Sequence, residues 1–432
     1  MTEPEETIIS VDPDSQRRLR ERGLDYRIAD MAVDADAEGF LRADSRGFLD
    51  EDPTDAELAQ MRETMRARRN IGVYDPAAGS WPIATVNSWV TPLSLPGGEV
   101  DMWAISSVTV AGTHRRRGIA RNLLEGELRA AAGAGVAVAG LTASEATIYG
   151  RYGFGPAVPV MRFTVDTARA GWRGGDEPST GRLVYADKQT LATDLERLHE
   201  ASRTRRSGQV AGWRGRWQRM AGLAQGDKEA AAVRGVRFTD ADGAVQGAMA
   251  YTLAELPGVF RSEMRIRSII TTSDEALREI WRFVVQHDLV TRARVDLRPV
   301  DDPLPWLVSD QRAVTAEVHD HGWLRVLDVD AALTARTYSA PLDIVLRVDD
   351  PLGFAAGDWR VTVEAGGRCR IAATSDSPEV TLGVVELSAI YAGGVPAAQL
   401  AAAGRIHGDA DAVSALSRAF LTTPSPVLGI WY

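Results

Sequence analysis

From Tyr26 onward, short apolar runs alternating with a period of two trade places with segments of helical period, which sorts the chain into three mixed regions. In the first, the pattern predicts a strand at Tyr26–Ile28, helices around Asp34–Phe48 and Asp55–Met65, and strands at Ile71–Tyr74, Ile83–Leu95 and Val100–Val110. A helix Arg121–Ala132, a strand Val136–Thr142, a short helix Glu145–Tyr152 and a strand Val158–Val165 follow. The polar, Gly- and Arg-rich stretch Thr167–Gly181 reads as a linker. The second region has helices at Leu191–Arg203 and Trp213–Ala221 and strands near Ala230–Thr239, Ala244–Leu253 and Glu263–Ile270. A helix Ser273–His287 and a strand Arg292–Arg298 complete an order that echoes the first region. The third, from near Gly322, alternates in strands at Trp323–Val329, Asp343–Val348, Trp359–Ala365, Arg368–Ala372 and Val380–Gly383. Helices Val385–Tyr391, Ala397–Ala402 and Asp411–Phe420 close it. Strands interrupted by helices predict a mixed α/β (α+β) layer fold.

The two ends depart from this pattern. Residues Met1 to about Asp25 carry few large apolar residues and are expected to form a flexible or helical extension that joins no core. The tail Leu421–Tyr432 stays apolar and aromatic to its last residue. An exposed Ile430-Trp431-Tyr432 end would be a liability, so it is expected to be buried.

A chain of 432 residues suggests about three domains of ~150 residues. A net charge of −10 argues against a general nucleic-acid or membrane binder. No apolar run approaches the ~20 residues of a membrane span, and no secretory segment is evident. The single cysteine, Cys369, allows no intramolecular disulfide, which fits a reducing cytoplasm. Six scattered histidines make a metal site unexpected, and His319 and His321 read as exposed turn residues.

One segment changes the picture. Strand residues up to Val110 run into Ala111-Gly112-Thr113-His114-Arg115-Arg116-Arg117-Gly118-Ile119-Ala120, which opens a helix. Backbone N–H groups at a helix N-terminus favour anions, and three arginines add charge there. The motif is neither a P-loop nor a dinucleotide fingerprint, since both glycine patterns are absent. A solvated basic surface run is the alternative; the strand-to-helix position favours a pyrophosphate site. The corresponding turn of the second region, Thr271-Thr272-Ser273-Asp274-Glu275, is an acidic helix cap that would repel phosphate.

The spacing Arg115-x-x-Gly118-x-Ala120 resembles the acetyl-CoA loop of GNAT acetyltransferases. Further segments extend the likeness: Ala143-Ser144-Glu145, Ile148-Tyr149-Gly150-Arg151-Tyr152-Gly153-Phe154-Gly155-Pro156, Asp302-Pro303-Leu304-Pro305, Gly322-Trp323-Leu324-Arg325 and Ala389-Ile390-Tyr391-Ala392-Gly393-Gly394. With them the whole chain resembles the Eis (enhanced intracellular survival) family. The resemblance implies tandem GNAT-like domains, the second without a cofactor loop, and a C-terminal sterol-carrier-protein-like domain. The expected division is 1–25 extension, 26–166 catalytic domain, 182–310 second domain and 322–432 sterol-carrier-like domain. It also implies a homohexamer and acetyl-CoA-dependent transfer to primary amines, aminoglycosides among them.

By the same resemblance, Val108 and Val110 offer backbone N–H groups to the acetyl carbonyl, and Arg115, Arg116, Gly118 and Ala120 hold the pyrophosphate. Ser144, by default a helix cap, adds a cofactor contact. Tyr149 stands at the general-acid position, although the residues alone favour packing in an aromatic turn. The C-terminal carboxylate, here that of Tyr432, is the implied base; the alternative is a tail that merely packs between domains. Trp431 and Phe48 stand where aminoglycoside-active relatives carry acids, with Asp44 and Asp50 near Phe48. Other acceptors (protein lysine, a polyamine) and a non-catalytic lipid or CoA carrier are the competing functions.

Overall fold

The computed structural model describes residues 10–175, 179–258 and 260–432. Twelve strands form one sheet: β1 (Asp25–Ile28), β2 (Arg69–Tyr74), β3 (Ala84–Leu95), β4 (Gly98–Val110), β5 (Val138–Thr142), β6 (Gly155–Asp166), β7 (Arg182–Ala186), β8 (Arg234–Thr239), β9 (Val245–Glu255), β10 (Ser262–Thr271), β11 (Val290–Arg298) and β12 (Val314–Val326). Their order is β1-β2-β3-β4-β5-β12-β6-β11-β10-β9-β8-β7. Each half contains a parallel pair, β4–β5 and β10–β11, because a helix crosses over between them: Ile119–Gly133 in the first half, Asp274–Val285 in the second. A separate sheet, β13 (Leu342–Asp349), β14 (Gly357–Val363), β15 (Cys369–Ala373), β16 (Val380–Gly383) and β17 (Ile406–Gly408), has the order β15-β14-β13-β16-β17.

Three expectations need correction. The strand expected to open the third region lies instead in the large sheet. β12 runs from Val314 to Val326 between β5 and β6, across the boundary expected at residue 322. Its last six residues are all buried, as befits an interior strand covered on both faces, so it does not alternate. Second, residues 10–25 of the expected extension do join a core; residues 1–9 lie outside the described set. The helix Pro13–Arg20 is capped by Asp12, whose carboxylate accepts from the Ser15 N–H at 2.7 Å and from Arg129 at 2.8 and 2.9 Å. Leu19 is fully buried, and one large apolar residue beside small Ser15 is stripe enough to seat two turns on the neighbouring helix. Third, the linker begins with a packed turn, Thr167–Ala170, whose Thr167 Oγ1 donates to the Val290 carbonyl at 2.6 Å; its residues 176–178 lie outside the described set.

The small sheet is clamped to the large one at two points. The helix Val384–Tyr391 packs on β6 and β12. Gly155 permits this, because a Cβ there would lie 2.1 Å from the Val385 carbonyl oxygen. The second clamp is Arg325 of β12, which is fully buried and donates to both oxygens of Asp350 at 2.7 and 2.8 Å and to the Tyr152 carbonyl at 2.8 Å. Removing one partner of a buried ion pair costs about 3–5 kcal/mol, whereas replacing both by apolar groups is often neutral. Arg325→Met is therefore expected to lower the thermal midpoint strongly in scanning calorimetry, and the double variant Arg325→Met/Asp350→Leu to restore much of the loss.

Candidate active site

β4 and β5 pair only through Met102–Ala104 and Val138–Gly140. β4 then runs on to Val110 with no β5 partner, so the two strands part into a wedge. At the point of departure β4 carries a bulge: the register with β3 shifts between Thr85 and Asn87, and Ser107 has φ 54°. Thr85 Oγ1 donates to the Ser107 carbonyl at 2.8 Å and Asn87 Nδ2 to its hydroxyl at 2.9 Å, which fixes the bulge. A bulge re-aims the backbone beyond it, here at half-buried Val108 and Val110.

The strand leads into the basic loop. A short 3₁₀ turn, Gly112–His114, is anchored by buried His114, which bonds Asp75 at 3.0 Å and Thr113 at 2.8 Å. Arg116 (φ 64°) and Gly118 (φ 70°) are left-handed, and the helix starts at Ile119. Such alternation turns successive N–H groups inward. No side chain caps this helix, so its first-turn donors remain for a ligand, with half-buried Ala120 at the second helical position. Arg115, Arg116 and Arg117 are exposed, and Arg115 and Arg116 make no ion pair among the described residues. Arg22, from the N-terminal helix region, donates to the Arg117 carbonyl at 2.6 Å and brings a further cation to the loop.

Tyr149 ends the short helix Ala146–Tyr149 and is buried, edge-on to Phe154 (6.2 Å) and Trp323 (6.4 Å). Burial raises its phenol above the ordinary tyrosine value, with the Ser144 side chain acting in the opposite sense. Ser144 makes no cap bond to that helix.

The C-terminal tail arrives from the other end of the chain. The Val427 N–H donates to the Ser207 carbonyl at 2.9 Å, and the Gly429 N–H to Gln209 Oε1 at 3.0 Å. His321 Nε2 lies 2.8 Å from the Ile430 carbonyl, and because a carbonyl only accepts, that nitrogen carries the proton. His321 is fully buried, and burial lowers its pKa to about 4, so the ring is neutral. The terminal residue then reaches the end of β5: Thr142 Oγ1 donates to the main-chain oxygen of Tyr432 at 2.8 Å. The Tyr432 ring stands edge-on to Trp89 at 5.6 Å, and Arg68 lies over Trp89 at 3.6 Å.

Val108, Val110 and Tyr149 share one apolar cluster, and Tyr432 reaches the end of β5 at Thr142. His321 corrects its expectation as an exposed turn residue: it lies on an interior strand and anchors the tail. Sequence reasoning also passed over Thr142 and Arg68; the apolar tail was the available signal that something must receive it. Phe48 is about half exposed, as is Trp431, and Trp103 is core. Asp44 is buried behind the bulge, and burial pushes its carboxyl up to about 7. In the second half, Ser273 caps the helix Asp274–Val285 onto the Ala276 N–H at 3.2 Å, so the phosphate-binding donors are closed off.

Among the described residues no group of three or more His, Cys, Asp or Glu is placed to hold a metal, and no helix is long and apolar enough to cross a membrane. The acetyltransferase (GNAT) domain family matches residues 29–157, and a second acetyltransferase (GNAT) domain family matches 208–326. The sterol carrier protein domain family matches 329–429. An uncharacterized N-acetyltransferase of Streptomyces avermitilis is 33% identical over 406 residues, 90% of this chain and 95% of that protein. The N-acetyltransferase Eis of Mycobacterium bovis (strain BCG) is 32% identical over 331 residues, 73% of this chain and 77% of that protein. The crystal structure of Eis1 from Mycobacterium abscessus superposes with a TM-score of 0.78 at 28% identity, covering 94% of this chain and all of that one. Tandem GNAT domains, of which the first opens its crossover helix from an uncapped basic loop, are followed by a sterol-carrier domain whose tail reaches the end of β5: the chain belongs to the Eis family of N-acetyltransferases.

Proposed function

We propose that the chain acetylates primary amines, with acetyl-CoA held in the β4–β5 wedge, Tyr149 as general acid and the Tyr432 carboxylate as general base. The observation that supports this reading is the Thr142–Tyr432 bond at the end of β5, seven residues before Tyr149 in the chain. Acetyl-CoA supplies the activated acyl group and a thiol leaving group. The Arg115–Ala120 loop binds its pyrophosphate, and Ser144 adds a contact near Tyr149. The Tyr432 carboxylate takes the proton that an ammonium must lose before it becomes nucleophilic, directly or through one water. Backbone N–H groups of Val108 and Val110, beyond the bulge, stabilise the negative charge that develops on the acyl oxygen. The Tyr149 phenol returns a proton to the departing sulfur.

A charge-assisted hydrogen bond is worth about 1.5–3 kcal/mol, with less at exposed positions. Arg115→Gln and Arg116→Gln are each expected to raise KM for acetyl-CoA about tenfold with kcat little changed, measured by thiol release; an unchanged KM would remove the loop from the binding site. A substrate panel read by mass spectrometry tests the acceptor class. A homohexamer belongs to the same reading by resemblance, and a cytoplasmic setting by the single Cys369. Aminoglycoside-type acceptors do too, but Trp431 and Phe48 put aromatic rings where a polycation would want carboxylates.

A further inference from the structure

A cavity of about 600 Å³ lies in the second half of the molecule. Its walls are Ile266–Asp274 of β10 and the turn after it, and Asp296–Pro299 at the end of β11. β10 and β11 pair in parallel only as far as Ile266 and Val295, and a register shift follows between Ile266 and Ser268. This is the same parting of strands and the same bulge that form the donor wedge of the first half. Its helix end is closed by Ser273, yet the space between the strands persists. The remaining wall is the C-terminal tail: Val427, Gly429 and Trp431.

Five arginines line this space: Arg205, Arg206, Arg216, Arg267 and Arg298. Three are neutralised by carboxylates, Arg206 by Asp301 at 2.6 Å, Arg267 by Asp227 at 2.7 Å and Arg298 by Asp302 at 2.6 Å. Of the acids lining the cavity, Asp296 is paired with Arg162 at 2.9 Å, and Asp274 is exposed at the rim. Arg205 gives its guanidinium to the Thr272 carbonyl. Arg216 pairs with no carboxylate among the described residues: its Nε is buried without a hydrogen-bond partner, and Arg219 and Arg267 repel it. Burial, first of all, and then those two cations pull its pKa down to about 10, so it stays charged at neutral pH. A buried, unpaired cation is costly to keep, and an anion in the cavity would offset that cost.

We propose that this cavity is the far half of the acceptor site and holds an anionic group, carboxylate or phosphate, at the distal end of the amine acceptor, with Arg216 as its counter-ion. The inference rests on the acetyl-transfer reading above. Trp431 ties the two sites together: its side chain lines the cavity, and the next residue carries the carboxylate base, one Cα step of ~3.8 Å along the chain. The volume falls in the range of ~300–1,000 Å³ usual for small-molecule pockets. The chemistry is the reverse of what a polycation needs and agrees with the aromatic residues at Trp431 and Phe48.

The test compares four acceptors of equal chain length: ε-aminohexanoate, aminohexyl phosphate, hexylamine and hexane diamine. In the native protein kcat/KM for an anionic acceptor is expected to exceed that for hexylamine and the diamine by about tenfold or more, the yield of one charge-assisted contact. The better of the two anionic arms identifies carboxylate or phosphate. Arg216→Met is expected to collapse that ratio toward one, and Arg216→Lys to retain part of it. Calorimetric binding of ε-aminohexanoate to the CoA-saturated protein, native against Arg216→Met, gives a readout that needs no turnover. A preference for the diamine, or anion binding equal in the two proteins, would overturn the inference. Arg216-dependent binding with no acetylation of any amine would sink the acetyl-transfer reading instead.

Discussion

Converting the terminal carboxylate of Tyr432 to a carboxamide is expected to lower kcat by about 10²–10⁴-fold, the range a positioned general base contributes. The amide keeps the Tyr432 ring against Trp89 and leaves an oxygen to accept from Thr142, so the tail should stay seated. What it loses is the negative charge and with it the ability to take a proton. Acetyl-CoA binding, which draws on the Arg115–Ala120 loop, should be unaffected.

Tyr149→Phe is the second large effect, expected at about 10²–10³-fold in kcat with KM for acetyl-CoA nearly unchanged, checked by steady-state thiol release. Phenylalanine preserves the edge contacts with Phe154 and Trp323, so the turn should keep its shape. Only the hydroxyl is removed, and with it the proton for the leaving sulfur. Burial holds the phenol above its ordinary pKa of ~10, so it stays protonated across the neutral range. The basic limb of the native kcat profile should accordingly lie above pH ~10. An undiminished kcat would leave Tyr149 as a packing residue.

The shape of the Arg115–Ala120 loop was legible in the sequence because everything that makes it is local: a β-branched strand, left-handed Gly118 and an uncapped helix within a dozen residues. The apolar tail announced its burial for the same reason. Its receptor could not be read, because Thr142, Trp89 and His321 come from three strands that meet only in the folded sheet. β12 was misassigned to the third region because its alternating start, Val314–His319, gives way to an unbroken buried run. The packing of the N-terminal helix on a core escaped notice since composition counts apolar residues, whereas Leu19 alone supplies the fully buried apolar contact its two turns need. The arginine-lined cavity is the extreme case: Arg205, Arg216, Arg267 and Arg298 are spread over ninety-odd positions and form one field only because the second half repeats the parted strands of the first.

The central claim is that a carboxylate from the last residue and a phenol from the first domain act on one thioester. The most direct measurement compares two ligated proteins that differ only in a free or an amidated Tyr432, each assayed for single-turnover acetyl transfer to hexylamine and for acetyl-CoA binding by calorimetry. The expected result is equal acetyl-CoA affinity and a transfer rate at least about a hundredfold lower in the amide; equal transfer rates in the two proteins would contradict the claim.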